Sequence, residues 1–260
     1  MAKIKKFESI IYLEPIAHKY YHRITGKVYK SVTTTLSSIE PHFDAEGIAL
    51  SISKQLDTVK QQRYIGLSQQ QILDYWQFLN DEANIYGTKV HDIVERYLLA
   101  NKWYFPPNND EGVFEQKVID GYNALQIEEG QTMWPERILF SEQYELAGTS
   151  DLIIDIDDVF FDVADYKTNR VFNFYNQYGY ETLHKPFDHY QSCQYSVYSL
   201  QLSVYAYMYE LEFPKRKCRQ IYVLYWDKEK MNFTKIPITY VKHDAKKLIE
   251  LHHYNVMKNS

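Results

Sequence analysis

Residues 152–164, Leu-Ile-Ile-Asp-Ile-Asp-Asp-Val-Phe-Phe-Asp-Val-Ala, form two apolar runs of β-branched and aromatic side chains separated by an acidic pair at Asp157-Asp158. That pattern predicts a β-hairpin with a polar turn. Comparable short runs predict strands at 10–13, 19–23, 27–32, 134–142, 145–155, 159–167, 219–226 and 232–239. A period near 3.6 predicts helices at 43–62, 68–82, 84–101, 111–128, 189–211 and 243–257, the second opened by Ser68-x-x-Gln71, which reads as a capping box. The segment 168–189, rich in Asn, Tyr and Gly, is long enough to suggest a functional flap following Lys167.

The hairpin carries the first candidate chemistry. Its strands are bracketed by Gly148-Thr149-Ser150-Asp151 and Asp165-Tyr166-Lys167. Side chains alternate along a strand, so Asp165 and Lys167 share a face and Tyr166 takes the other. In ordinary hairpin register Asp151 lies near Asp165, and the two carboxylates can grip one hard cation such as Mg²⁺. Aspartate-x-lysine also recurs by chance, so the tripeptide alone carries little.

Further polar pairs sit on apolar helices. His91 and Glu95 stand one turn apart in Gly87-Thr88-Lys89-Val90-His91-Asp92-Ile93-Val94-Glu95, beside an apolar face of Val90, Ile93, Val94, Tyr97 and Leu98. Histidine is the commonest nitrogen donor to metals, although a lone histidine is more often a surface or satisfied core residue. Gln201 and Tyr205 form a second such pair, able to bond a phosphate or simply to pack, as most of the 25 tyrosines must. Residues 18–30 read as a hairpin with a Thr-Gly turn, running into Ser31-Val32-Thr33. These hydroxyls at a helix start suit either an anion or a plain helix cap.

Taken in order, G-x-x-x-H-x-x-x-E, a strand-borne glutamate, G-x-x-D, D-x-K and Q-x-x-x-Y resemble the PD-(D/E)XK nuclease superfamily in its RecB-like branch. The matching residues are Gly87, His91, Glu95, Glu136, Gly148, Asp151, Asp165, Lys167, Gln201 and Tyr205; Glu142 and Glu145 compete with Glu136. The Ser31-Val32-Thr33 string is similar to one in the mitochondrial genome maintenance exonuclease and related phage exonucleases. The resemblance implies an α/β fold, with a restriction-endonuclease-like core over 83–260: a central mixed β-sheet flanked by helices. Residues 1–82 would form an N-terminal β-hairpin and helical elaboration that contributes to nucleic-acid binding.

The resemblance also implies roles. One or two Mg²⁺ or Mn²⁺ ions would be held by His91, Asp151, Asp165 and the Tyr166 carbonyl, with Glu95 and Glu136 supporting the ligands or holding a second ion. Lys167 would position and activate water, and Gln201 and Tyr205 would hold the scissile phosphate. Ser31, Thr33 and Arg170 would contact nucleic acid. The implied activity is that of a metal-dependent DNA exonuclease, a deoxyribonuclease acting on single strands or DNA ends in recombination, repair or replication. A structure-specific endonuclease or a catalytically silent nucleic-acid-binding subunit of the same fold are the alternatives.

Composition adjusts this picture in three places. The 260 residues, 45% hydrophobic, suffice for one sizeable core. Twenty-nine basic against 34 acidic residues give a net charge of −5, the wrong sign for broad phosphate attraction, which leaves local cations such as Lys19, Arg23, Lys27, Lys30, Lys167 and Arg170. Only Cys193 and Cys218 are present, whereas an iron–sulfur cluster takes about four thiolates, so none is expected. Two cysteines fit a reducing cytoplasm, and the basic start without an apolar segment argues against secretion. No run reaches the roughly 18 apolar residues of a membrane span. A small free-standing nuclease would also suit a phage or mobile element, by analogy alone.

Overall fold

The two apolar runs fold as β6 (Leu146–Asp155) and β7 (Phe160–Lys167), paired antiparallel from Leu152↔Ala164 to Asp155↔Phe161. Asp157 closes their turn by accepting the N–H groups of Val159 and Phe160 at 2.7 and 2.6 Å. The structure, a computed structural model, describes residues 3–17, 19–54, 59–176, 179 and 181–259. His18 of the expected N-terminal hairpin, 55–58 of the expected 43–62 helix, and 177, 178 and 180 of the expected flap lie outside the described residues.

Around that hairpin grows a nine-stranded mixed sheet. β5 (Thr132–Ser141) runs antiparallel to β6, and the short β1 (Lys3–Ile4) pairs parallel with β5. β2 (Ile11–Glu14), β3 (Lys19–His22) and β4 (Val28–Ser31) make an antiparallel meander whose last strand joins β6 in parallel at Lys30↔Leu146 and Ser31↔Ala147. On the far side β7 pairs parallel with β8 (Lys217–Asp227), which turns back into β9 (Asn232–Ile238). A parallel pair needs a crossover, and α5 (Gln194–Glu212) supplies it.

Helices cover both faces. On one, Val90, Ile93, Val94 and Leu98 of α3 (Gln69–Leu99) and Val118 of α4 (Asp110–Ala124) pack on Leu152, Ile154, Ala164 and Tyr166. On the other, α1 (Val32–Ser37), α5 and α6 (Lys242–Asn259) pack on Ile153, Phe161 and Val163. Alternation therefore sends neighbouring side chains of each central strand into different cores, which explains the unbroken apolar runs.

The helices differ from expectation in three places. The 68–82 and 84–101 segments are one 31-residue helix, opened by the Ser68/Gln71 capping box. The apolar pattern lapses between them because that stretch crosses solvent, leaving Phe78, Leu79 and Ile85 exposed, but no proline interrupts the hydrogen-bond ladder. The expected 43–62 helix appears as α2 (Ala45–Ser53) and a 3-10 turn (Val59–Tyr64). Finally, α5 starts at Gln194 rather than 189, because residues 185–190 form turns closed by a bridge between Thr182 and Gln191.

Candidate metal centre

The centre forms where the β6–β7 pairing stops. The ladder ends at Leu152↔Ala164, so Asp151 and Asp165 are the next residues across. There the strands part: β6 takes β4 as its neighbour at Leu146 and Ala147, while β7 stays with β8 to Lys167↔Tyr225. The Asp151 carboxylate fills the gap, with Oδ2 accepting the Tyr166 N–H at 2.7 Å. A side chain has taken the place of a strand carbonyl.

On the other edge of β6 the ladder with β5 is irregular. It runs Pro135↔Leu152 and then Arg137↔Ser150, skipping Glu136, which in that register stands opposite Asp151. Glu136 has a φ of +47°, the left-handed region that costs a side-chain-bearing residue about 1 kcal/mol or more. Strain of this kind persists only where surrounding packing imposes it, and here it accompanies an inward-facing acid.

α3 completes the group. Nδ1 of His91 lies 3.4 Å from Oδ2 of Asp151, and ligand atoms of His91, Glu136 and Asp151 all lie within 4.8 Å of one another. Gly87, one turn earlier, permits this approach, since a Cβ there would sit 2.9 Å from the Thr168 hydroxyl. The His91 ring stands edge-on to Tyr166 at 5.4 Å. Tyr166 itself points into the α3–α4 layer beside Tyr122 and Phe233, opposite to Asp165 and Lys167 as strand alternation requires.

Charge at the centre is poorly balanced. Burial, then the nearby Asp151 and Glu95 carboxylates, push Glu136 well above the ordinary glutamate value. Burial and Asp151 likewise raise Asp165, against the pull of Lys167. Burial also raises Glu95. Lys167 is the cation in contact with this group: its ammonium lies 2.6 Å from Asp165 and 4.8 Å from the centre of the Tyr198 ring. Burial opposes its charge, but Asp165 and Asp151 outweigh burial and lift its pKa, so Lys167 stays an ammonium through neutral pH.

The helix α5 faces the same centre. Gln201 and Tyr205 are buried, and the Gln201 amide donates to the Tyr205 hydroxyl at 3.3 Å. Gly148 lets them approach: a Cβ at that position would meet the Tyr205 ring at 2.7 Å and Val32 at 3.0 Å. Tyr20 reaches in from β3 to share a hydrogen bond with Thr149 at 3.0 Å. A cavity of about 800 Å³ runs outward from Glu95, Glu136 and Thr149 toward Lys6, Arg23 and Tyr12, with the Arg23 guanidinium over the Tyr12 ring at 5.1 Å.

Several expected residues stand elsewhere. Asp165 is not in the His91–Glu136–Asp151 group; its carboxylate is engaged by Lys167. Ser31 caps α1, its hydroxyl accepting the Thr34 N–H at 2.9 Å and sharing a bond with Thr33. Its partner Ala147 is four residues from Asp151, about 13 Å along β6. Arg170 is exposed beyond the end of β7. Glu145 pairs with Lys27 at 2.6 Å and Glu142 is exposed, so of the three competing glutamates Glu136 is the one at the centre. Tyr198 and Tyr20 belong to the site without having been singled out. Tyr198 was legible in principle, since 198, 201 and 205 fall on one helical stripe; Tyr20 depends on β3 lying near β6.

One imidazole and clustered carboxylates are a donor set suited to a hard or borderline dication such as Mg²⁺ or Mn²⁺. The upward shifts of Glu136 and Asp165 come first from burial and then from the Asp151 carboxylate beside them, and a dication would favour the charged form of both.

No protein-family model matches the chain, and no curated protein does. Among solved structures, a protein of Eubacterium rectale provisionally described as an exonuclease aligns over 66% of this chain and 66% of its own, at 13% identity and a TM-score of 0.43. The chain thus spans just under two thirds of that protein. A second structure, SSO0001, aligns over 64% of this chain and 72% of its own, at 15% identity and a TM-score of 0.26. Likenesses this distant bear on neither family nor activity. No helix among the described residues is long and apolar enough to cross a membrane.

Proposed function

We propose that the chain is a metal-dependent nuclease of the PD-(D/E)XK kind, hydrolysing phosphodiester bonds of DNA, single-stranded or at free ends. The observation that carries this is the convergence of His91, Glu136 and Asp151 at the point where β6 and β7 part, next to the Asp165–Lys167 pair. A structural ion-pair network would balance these carboxylates; this centre leaves them in excess.

His91, Glu136 and Asp151 would hold the ion, with Asp165 and the Tyr166 carbonyl completing its ligands and Glu95 supporting a second ion. When bound, Mg²⁺ or Mn²⁺ supplies charge neutralisation at the scissile phosphate and a more acidic water. Lys167, fixed as a cation, is suited to orient the attacking water and to stabilise negative charge building on the phosphate rather than to take a proton. Gln201 and Tyr205, buried donors on the same side, would hold a phosphate oxygen. Residues 1–82 would supply strand contacts, with Lys6 and Arg23 neutralising phosphates along the cavity.

The test is cleavage of end-labelled linear and circular single-stranded DNA with Mn²⁺, alongside calorimetric titration of the metal. Wild type should degrade the linear strand and spare the circle, and Lys167→Ala should lose cleavage while still binding Mn²⁺. Asp151→Asn should lose both. Cleavage of circles would make the enzyme an endonuclease of the same chemistry; undiminished cleavage by folded Asp151→Asn would remove the proposal.

A further inference from the structure

Tyr198, whose ring carries the Lys167 ammonium, also lines a second cavity of about 580 Å³, together with Glu40, Phe43, Tyr175 and Gln194 among others. Its size is within the roughly 300–1,000 Å³ of small-ligand sites. Two aromatic rings stand at it largely uncovered, Phe43 at 63% and Tyr175 at 75% exposure. Scattered exposed aromatics are ordinary surface, but two of them bordering one cavity form a stacking site. No lysine, arginine or histidine lines it among the described residues, so a phosphate group does not fit there.

Glu40 supplies the polar specificity. It is half-buried, and its carboxylate has no hydrogen bond or ion pair with any described residue. Burial raises its pKa, which marks a carboxyl short of donors. A flat ligand with a hydrogen-bond donor on its edge satisfies both features, and Tyr198 links the cavity to the metal centre, since Lys167 lies 4.8 Å from its ring centre.

We infer that this cavity is a nucleobase pocket, taking the base of a nucleotide next to the scissile phosphate between Phe43, Tyr175 and Tyr198, with Glu40 accepting from its exocyclic amino group. The inference rests on the nuclease proposal and adds base selectivity to it. Carboxylate acceptance from a base amino group is a known readout, and a well-placed side-chain pair discriminates bases by about 1–3 kcal/mol, which is about five- to 150-fold in affinity. Cytosine and adenine carry such a group; thymine does not.

The experiment is fluorescence anisotropy of labelled dC, dA and dT homo-oligomers with the full chain, Ca²⁺ replacing Mg²⁺. Wild type should bind dC and dA at least about fivefold more tightly than dT. Glu40→Ala should bring the three together without weakening dT, and Tyr175→Ala, at a position too exposed to endanger folding, should weaken all three. Equal binding of the three by wild type, or a preference that survives Glu40→Ala, overturns the pocket and leaves the nuclease proposal standing. Binding of none of them, with no uptake of Mn²⁺, overturns both.

Discussion

Replacing Glu136 with glutamine should stabilise the metal-free protein and abolish its stabilisation by metal. Glu136 and Asp151 present oxygens no more than 4.8 Å apart. At an effective dielectric of about 20, two unit charges at that distance repel by about 3.5 kcal/mol, and partial solvent contact leaves a net gain of about 1–2 kcal/mol on removing one. For a chain of this length that corresponds to a rise in melting temperature of about 2–8 °C. The sign depends on pH. Because the folded-state pKa of Glu136 lies above the ordinary 4.5, wild-type stability is fully present below that value and falls as pH rises through the raised one. The variant should therefore gain nothing in acid, below about pH 4, and reach its full advantage only once the pH has passed the raised value of about 9. Mn²⁺ at about a hundred times its dissociation constant should stabilise wild type by about 2.7 kcal/mol, and the variant by much less. Scanning calorimetry of both proteins, in chelator and in Mn²⁺ across that pH range, reads all of these. A variant that melts no higher than wild type in alkaline chelator, or that keeps the full Mn²⁺ shift, would refute the assignment of Glu136 to a crowded metal centre.

Gly148→Ala forces a methyl group against the Tyr205 ring and Val32, so denaturant unfolding should show a loss of about 1–3 kcal/mol; an unchanged midpoint would mean α5 does not press on β6 there. Ser31→Ala removes the cap of α1 and should cost about 0.5–2 kcal/mol in the same assay while leaving Mn²⁺ affinity unaltered. A fall in Mn²⁺ affinity would tie Ser31 to the centre instead.

Much of this protein was decided by short-range periodicity. The hairpin, its acidic turn, the opposed faces of Asp165–Lys167 and Tyr166, and the one-turn spacing of His91 and Glu95 beside the Val90–Leu98 apolar face all follow from residues a few positions apart, because strand and helix repeats fix where neighbouring side chains point. The near pairing of Asp151 with Asp165 follows from the same register once the turn is known. Other features required the assembled sheet. Glu136 stands at the centre, and Glu142 and Glu145 do not, because the β5–β6 register sets Glu136 opposite Asp151, where its backbone turns left-handed, while the other two lie beyond the end of β5. The opening between Asp151 and Asp165 also needed the sheet, because β7 leaves β6 there to follow β8 and β6 takes β4 in its place. Those choices are made between segments far apart in the chain, and no local repeat of apolar and polar residues records which strand will lie beside which.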